Sequence, residues 1–293
     1  MSIDGLRIIG ERINPGFKSS RALIEARDLA GLQELARSQT AKGATWLTIN
    51  VGNDAERDPN FMIDTIKAVQ AVTDLPLSID SPSAAVQEAC LAAYDTSLSA
   101  GKLPIMNSVA EGRWEMFALR KQVPCTVLFM ASERFENGKA IANRSAAEVH
   151  ATARRLIARA KADDPSINID DCIVDVSIGP MASDTENLTR TAVESVRMIG
   201  SDPELAGVHL CVGLSNLSIM LPKEAADGGL LRTRLESAFL TETVPYGLDT
   251  ILGTPGRNYE LLPDEDFVLQ GFRRTIAADG FDALMSLRDL YAA

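Results

Sequence analysis

Cysteine and histidine are scarce in this sequence, and the few that occur are widely separated. The four cysteines are Cys90, Cys125, Cys172 and Cys211. They form no CxxC pair, so we expect reduced thiols in the core of a cytoplasmic protein rather than a metal or redox site. The two histidines, His150 and His209, fall in a predicted helix and a predicted strand. This scarcity argues against a histidine metal site and against a Ser-His-Asp triad.

Long apolar runs and an excess of positive charge are also missing. No stretch approaches the roughly 20 apolar residues that span a bilayer, and the start of the chain has neither the basic nor the apolar part of a signal peptide. The 29 basic and 40 acidic residues give a net charge of −11. That balance argues against nucleic acid and anionic membranes as partners. It does not exclude small anionic ligands, because local positive groups override the net field.

What the sequence does contain is enough apolar material for a large core. It has 293 residues, of which 46% are hydrophobic and 24% are charged, so general disorder is excluded. This length is normal for one α/β barrel. No linker or change in composition marks a second domain, and we therefore expect residues 1–293 to form a single domain.

Buried strands that end in a carboxylate or an amide recur along the chain. Residues 77–80 end in Asp80, residues 103–107 end in Asn107, residues 172–175 end in Asp175, and the strand predicted over residues 208–213 is followed closely by Asn216. Four more apolar runs complete a set of eight: residues 6–10, 45–50, 125–130 and 246–252. The run at 246–252 has the weakest pattern, because Gly247 and Asp249 interrupt it.

Helical patterns follow these strands. We predict a helix over 22–42, broken near Ala30-Gly31, and helices over 59–72, 111–121 and 264 to the end. Ser81 and Pro82 suit the cap and first turn of a helix that extends to about residue 93. Capping boxes at 145–148 and 183–186 predict helix starts there, with ends near 162 and 199. A further helix lies somewhere between 217 and 240.

Eight apolar strands, each followed by a helix, are typical of a closed (β/α)8 barrel of the α/β class, the TIM barrel. Continuous rather than alternating apolar strands fit a parallel sheet that is buried on both faces. The alternative is an open doubly wound sheet. It has less support, because no GxGxxG sequence follows the first strand.

The loops at the carboxyl ends of barrel strands build the active site of such folds. Five residues therefore point into one mouth: Asn50, Asp80, Asn107, Asp175 and Asn216. Two carboxylates and three amides are poor groups for covalent catalysis, but they suit the edge of a flat heterocycle such as a pterin. A single Asp or Asn after a strand is often only a turn former or a helix cap. Five on successive strands make that explanation much weaker.

The same residues carry a family resemblance. Six short segments resemble, in matching order, those of the pterin-binding methyltransferases. They are residues 9–14, Asn50-Val51-Gly52, residues 79–81, residues 106–108, Val174-Asp175 and residues 213–216. These methyltransferases are the methyltetrahydrofolate:corrinoid protein methyltransferases, which include the folate domain of cobalamin-dependent methionine synthase. The resemblance extends from about Ile8 to Ser218 and fades beyond Leu221.

The resemblance implies a cytoplasmic enzyme of one-carbon metabolism with a dihydropteroate synthase-like pterin-binding barrel, usually a homodimer. A separate corrinoid (cobalamin) protein would dock over the mouth, and a methyl group would pass between its cobalt and N5 of tetrahydrofolate, in a direction that the sequence leaves open. Asp80, Asn107 and Asp175 would hold the pterin edge, and Asn216, the expected catalytic residue, would lie near N5. Asn14 and Asn50 are weaker candidates for substrate binding. No metal site is implied.

One departure from the family concerns Thr48, which stands where the family commonly has an acid, two residues before Asn50. Two alternatives also stay open. A dihydropteroate synthase-like enzyme would carry a Lys shortly after the seventh strand, which residues 213–218 lack. A non-catalytic folate-binding barrel would bind methyltetrahydrofolate without transferring its methyl group.

The sequence does not decide whether three arginines, Arg12, Arg232 and Arg234, bind a ligand. Arg232 and Arg234 are candidate partners for the glutamate tail of folate, although such arginines are more often solvated helix charges. Arg12 is expected to pair with Glu11 or another internal carboxylate unless it meets a ligand.

Overall fold

Eight parallel strands close into a barrel in the computed structural model, which describes residues 3–53 and 57–291. Around the barrel the strands follow the order β1-β10-β9-β8-β5-β4-β3-β2. The strands are β1 Arg7–Gly10, β2 Trp46–Ile49, β3 Leu77–Asp80, β4 Ile105–Val109, β5 Thr126–Met130, β6 Glu133–Glu136, β7 Lys139–Ala142, β8 Cys172–Asp175, β9 His209–Gly213 and β10 Leu248–Gly253. The predicted (β/α)8 barrel of the α/β class is confirmed.

Helices cover the outside of this barrel. They are α1 Lys18–Glu25, α2 Leu29–Ala41, α3 Pro59–Gln70, α4 Ala84–Ala93, α5 Ala146–Asp163, α6 Leu188–Gly200, α7 Leu231–Thr243, α8 Phe267–Ala277 and α9 Gly280–Arg288. Short 3-10 helices join several of them, among them Glu111–Lys121, Met181–Ser183 and Leu214–Ser218. In the part of the chain that the structure describes, no helix is long and apolar enough to cross a membrane.

Two apolar layers explain why the strands read as continuous hydrophobic runs. A small cluster fills the inside of the barrel, and a much larger one lies between the strands and the surrounding helices. The inner cluster is Ile9, Ile105, Leu128, Ile173 and Cys211. A strand that faces both layers has no solvent side, so its residues are mainly apolar. The buried polar residues inside the strands include small hydroxyl side chains such as Thr48, Ser78 and Thr250.

A hairpin that we did not predict interrupts the βα repeat after β5. Strands β6 and β7 pair in antiparallel register and turn at Asn137-Gly138, both with positive φ. The Asn-Gly pair is a strong hairpin signal, but none of the flanking residues is buried, and only Phe135 and Ile141 among them are large and apolar. They therefore show little of the apolar alternation by which a strand is recognised in a sequence.

Several predicted helix boundaries were wrong, each because a different polar residue caps the helix. The N-cap of α4 is Ser83, whose hydroxyl accepts from Val86 N, rather than Ser81. The predicted capping box at 183–186 does not form, since α6 begins at Leu188 and the Asp184 carboxylate accepts from Leu188 N and Thr189 N. The capping box at Ser145 is confirmed.

Three predicted helices also differ in continuity. The 22–42 segment is two helices, α1 and α2, separated at residues 26–28, whereas Gly31 lies inside α2. The 111–121 segment is a kinked 3-10 helix, with non-helical backbone angles at Arg113. The C-terminal segment divides into α8 and α9, and the helix expected between 217 and 240 is α7, which begins at Leu231.

Candidate functional site

Three polar side chains meet on neighbouring or nearby strands at the carboxyl end of the barrel. Asp80 is the last residue of β3 and lies opposite Asn107 of β4 in the parallel register. Asp175 is the last residue of β8. We call Asp80, Asn107 and Asp175 the acidic arc, because β3, β4, β5 and β8 are consecutive around the barrel. Strand β4 continues past Asn107 to Val109, so Asn107 is not at its tip as predicted.

The two carboxyl groups of the acidic arc are hard to ionise without a partner. Burial raises the pKa of the Asp175 carboxyl to about 6, and the nearby charge of Asp80 adds to this effect. Burial likewise raises the pKa of Asp80. Among protein groups, Asp175 accepts from Ser177 N at 2.7 Å and Asp80 accepts from Asn50 Nδ2 at 3.0 Å. Each carboxylate therefore has acceptor capacity left for a ligand that offers N–H groups.

Asn50 binds the protein through both ends of its amide. Its Nδ2 donates to Asp80, and its Oδ1 accepts from Gly52 N at 2.8 Å. These bonds orient the Asp80 carboxylate. Asn14 similarly accepts from Gly16 N at 2.8 Å, as in an Asx turn. The two asparagines that were the weaker candidates for substrate binding thus have structural roles that need no ligand.

A cavity of about 570 Å³, which we call the mouth cavity, opens at the same carboxyl end of the barrel. It lies within the range of about 300–1,000 Å³ that is usual for small-ligand sites. Its lining comes mainly from the loops after β1, β9 and β10, and Asp80, Asn107 and Asp175 are not part of that lining. Its polar lining includes Glu11, Arg12, Asn14, Asn216, Arg232 and Arg257.

Asn216 lies in the mouth cavity on the 3-10 turn Leu214–Ser218 that directly follows β9. Its side chain is exposed, and its Nδ2 lies only 2.9 Å from the point that a Cβ at Gly213 would occupy. A side chain at position 213 would therefore displace the amide. No side-chain hydrogen bond of Asn216 is formed with the described residues, so its carboxamide can donate to a ligand atom or accept from it.

Two buried glutamates hold the turn that carries Asn216. Glu11 accepts from Ser215 Oγ at 2.6 Å and from Thr254 Oγ1 at 2.7 Å. Glu236 accepts from Ser218 Oγ at 2.5 Å and forms an ion pair with Arg257. Hydroxyl groups on both sides of Asn216 are thus bonded to carboxylates. Neither glutamate was predicted to belong to the site, because their partners are separated from them in the chain by 18 to 243 residues.

Thr48 lines the mouth cavity at the position where an acid was expected. Its side chain is buried, and its Oγ1 has no hydrogen-bond partner among the described residues. Buried hydroxyls nearly always have a partner. The unpaired hydroxyl is therefore available to a ligand.

The arginines differ from our expectations. Arg12 does not pair with Glu11; instead it donates to Ser19 Oγ at 2.8 Å and stacks over Phe17 at 4.3 Å. Arg234 is paired with Asp227 and Asp266 and lies outside the mouth cavity. Arg232 lines the cavity and binds the Leu221 carbonyl through Nε and Nη2.

A parallel α/β barrel with buried carboxyls, amides and a cavity at one rim defines a small-molecule-binding protein of the TIM-barrel class. A model of the family described as pterin binding enzyme matches residues 11–252, and the chain therefore belongs to the pterin binding enzyme family. A protein of Eubacterium limosum named methylcorrinoid:tetrahydrofolate methyltransferase is 26% identical to it in an alignment of 266 positions that covers 85% of this chain and 84% of that protein.

Solved structures of dihydropteroate synthases share the fold. The enzyme from Thermus thermophilus has a TM-score of 0.59 at 19% identity, and the match covers 87% of this chain and 91% of that one. The enzyme from Xanthomonas albilineans in complex with 7,8-dihydropteroate has a TM-score of 0.57 at 19% identity, with coverage of 98% and 94%. At these identities the likeness concerns the fold alone.

Proposed function

We propose that the whole chain is one pterin-binding domain that transfers a methyl group between the cobalt of a corrinoid protein and N5 of tetrahydrofolate. The observation that carries this proposal is the acidic arc at the same end of the barrel as a cavity that contains the Asn216 carboxamide. Asp80, Asn107 and Asp175 have the acceptors and donors that a pterin edge requires, and we assign Asn216 to N5 of the bound pterin. The name of the Eubacterium limosum relative supports this reaction.

A pterin edge matches the acidic arc because its ring N–H and amino group form a parallel pair of donors. A buried carboxylate that accepts both gains two charge-assisted hydrogen bonds. In this proposal Asp175 is the main anchor, because it is strongly desolvated and accepts from the backbone of Ser177. Asp80, held by Asn50, and the amide of Asn107 bind the remaining part of the edge.

We propose the direction from methylcorrinoid to tetrahydrofolate, in accord with the relative's name. The corrinoid, carried by a separate protein, supplies a methyl group bound to cobalt. In that direction N5 forms a bond to the methyl carbon as the carbon–cobalt bond breaks. The electron pair of the carbon–cobalt bond stays on cobalt, which becomes Co(I), and N5 loses a proton. Positive charge grows on N5 during the transfer. The hydrogen bond that N5–H donates to the Asn216 carbonyl becomes stronger as this charge grows. The proton leaves to solvent.

Docking of the corrinoid protein at the mouth is also proposed, and two exposed apolar residues support it. Ile219 and Met220 directly follow the Asn216 turn and are 45% and 64% exposed. Ile219 also lines the mouth cavity. Met220→Glu should slow transfer from a corrinoid protein and leave transfer from free methylcobalamin unchanged. Equal rates of Met220→Glu and wild type with the protein-bound corrinoid would contradict docking at this place.

The decisive experiment follows the reduced-cobalt spectrum in both directions. Purified protein with tetrahydrofolate and methylcobalamin should produce cob(I)alamin, and protein with methyltetrahydrofolate and cob(I)alamin should consume it. Asp175→Ala should abolish both reactions. Rates equal to those of a protein-free control in both directions, despite tight folate binding, would favour a non-catalytic folate-binding barrel.

Dihydropteroate synthesis is separated from methyl transfer by a second assay. The turn Leu214–Ser218 contains no lysine to meet a pyrophosphate. Protein mixed with a pterin pyrophosphate and p-aminobenzoate is expected to release no pyrophosphate. Release at a rate well above the protein-free rate would replace methyl transfer by dihydropteroate synthesis as the proposed function.

A further inference from the structure

Charge is distributed unequally between two sides of the barrel mouth. The acidic arc belongs to β3, β4 and β8, whereas Arg12, Arg232 and Arg257 follow β1, β9 and β10. These last three strands are consecutive around the barrel, and we call their arginines the basic arc. All three arginines line the mouth cavity, together with a single glutamate, Glu11. A chain with a net charge of −11 thus has a positive wall at the rim of its barrel.

Two arginines of the basic arc have no acidic partner among residues 3–53 and 57–291. In the described part of the chain, neither Arg12 nor Arg232 has a carboxylate within ion-pairing distance. Arg257, in contrast, is paired with Glu236. Many arginines elsewhere in the molecule are paired with acids, including Arg234, only two residues from Arg232. Guanidinium groups that share a cavity and have no acidic partner among the described residues can bind an anion.

Both of these guanidinium groups are held in place before any ligand arrives. Arg12 is bonded to Ser19 and stacked on Phe17. Arg232 is bonded to the Leu221 carbonyl through Nε and Nη2, which leaves Nη1 for another acceptor. Pre-organised side chains lose little conformational entropy when a ligand binds. This arrangement is therefore better suited to recognising a ligand than a mobile surface arginine would be.

We propose that Arg12 and Arg232 bind the carboxylates of the glutamate tail of the folate, so that the basic arc is a tail subsite. This inference rests on the proposed function, because it needs the pterin edge in the acidic arc. A reduced folate has hydrogen-bond donors at its pterin edge and carboxylates at its other end, which matches the opposite characters of the two arcs. Phe17 lies in the same cavity and offers an aromatic surface to the p-aminobenzoyl ring.

Binding of the tail also affects how the folate is oriented during methyl transfer. With the pterin edge on β3, β4 and β8 and the tail directed to β1 and β9, N5 lies between the two arcs. Asn216 follows β9, the strand next to β8, and lines the mouth cavity with the arginines. In this proposal it therefore lies at the middle part of the ligand. Tail binding therefore helps to align N5 and should affect the rate as well as the affinity.

The test compares a ligand with a tail and a ligand without one. Binding of tetrahydrofolate, its triglutamate form and 6-methyltetrahydropterin is measured by calorimetry for wild type, Arg12→Gln and Arg232→Gln. For the wild type we expect the triglutamate and monoglutamate to bind at least roughly tenfold more tightly than the tail-less pterin. Either substitution should remove most of this preference and leave affinity for 6-methyltetrahydropterin within about twofold of the wild type.

Arg274→Gln is the matched control, since it removes one positive charge from an exposed residue of α8 outside the mouth cavity. It should bind all three ligands as the wild type does. Equal wild-type affinity for ligands with and without a tail would overturn the tail subsite while leaving pterin binding intact. Equal weakening of both ligand types by Arg232→Gln would also overturn it. If the wild type binds none of the three, the proposed function itself fails.

Discussion

The hydroxyl of Ser215 donates a 2.6 Å hydrogen bond to Oε2 of Glu11, a residue 204 positions earlier in the chain. Glu11 also accepts from Thr254, so one buried carboxylate joins the loops after β1, β9 and β10. Asn216 is the next residue after Ser215. The position of the proposed catalytic amide therefore depends on contacts between three parts of the chain that are remote in sequence.

Loss of the Ser215 hydroxyl should affect catalysis more than binding. Ser215→Ala releases one side of the Asn216 turn, and a small displacement of a catalytic group is costly to the rate. We expect kcat to fall by roughly tenfold, with pterin affinity changed by less than about twofold. Steady-state kinetics and calorimetry measure the two effects. Ser166→Ala, which removes an exposed hydroxyl bonded to Asp164, should change neither, and an unchanged kcat in Ser215→Ala would contradict the anchoring role.

Replacement of Asp175 should abolish pterin binding. Asp175→Ala leaves the donors of the pterin edge unpaired in a buried site, which costs several kcal/mol, or on the order of 10³-fold in affinity. Titration of the protein with tetrahydrofolate, followed by tryptophan fluorescence or calorimetry, measures the loss. Near-normal affinity in a folded Asp175→Ala variant would remove this residue from the site.

Pterin affinity should also fall at acidic pH. Because burial raises the pKa of Asp175 to about 6, this carboxyl is largely protonated in the free protein below that pH and loses its charge as an acceptor. Affinity is therefore expected to be highest above this pKa and to fall as the pH decreases through it. In Asp175→Asn the pterin affinity should be low at every pH, and its fall as the pH decreases through this pKa should be absent. An identical pH profile in wild type and Asp175→Asn would exclude Asp175 as the titrating group.

Asn216→Ala should slow methyl transfer more than it weakens binding. The amide is exposed in the mouth cavity, and its bond to N5 gains strength only as charge develops. A group of this kind lowers kcat when it is removed, and pterin affinity changes much less. Single-turnover rates with cobalamin, compared with folate affinity, separate the two. Equal losses in rate and affinity would mean that Asn216 is a ground-state contact only.

Thr48→Val tests whether the unpaired hydroxyl serves a ligand. Valine has nearly the same shape, and Thr48 Oγ1 has no partner within the described residues, so thermal stability should be unchanged or slightly higher. Pterin affinity should nevertheless fall, by roughly fivefold to tenfold. Thr65→Val, in which a buried hydroxyl bonded to the Phe61 carbonyl is lost, serves as a stability comparison. Unchanged folate affinity in Thr48→Val would leave the hydroxyl without a role.

His209 should make stability depend on pH at the opposite end of the barrel. The Asp249 hydrogen bond, at 2.5 Å, raises the pKa of His209, and Asp170 adds to this effect at 2.9 Å. Its stabilising contribution is therefore fully present below the unfolded value of about 6.5 and is lost as the pH rises through the higher folded pKa. Melting temperatures measured from about pH 6 to about pH 9 should fall more steeply for wild type than for His209→Gln. The same dependence of melting temperature on pH in wild type and His209→Gln would contradict a contribution of His209 to this dependence.

Much of the barrel could be predicted, because strands buried on two faces need continuous apolar residues. All eight barrel strands were expected within a few residues of their actual bounds. Helix starts were less predictable, as Ser83 and Asp184 show, since several polar residues near a helix start can each act as a cap. The β6–β7 hairpin was missed because its exposed residues lack the alternation that buried strands have.

Sequence order alone predicted Asp80 and Asp175 at the last residues of their strands and Asn216 just after β9, because a buried strand admits charged residues mainly where it leaves the core. Asn107 lies near the end of β4 but inside it. Only the tertiary structure decided how these groups divide around the rim. It put Asp80, Asn107 and Asp175 outside the lining of the mouth cavity, joined Glu11 to Ser215, and left Arg12 and Arg232 without acids in the described part of the chain. The physical reason is that such pairings depend on the closure of β1 against β10, which brings together residues that no local pattern relates.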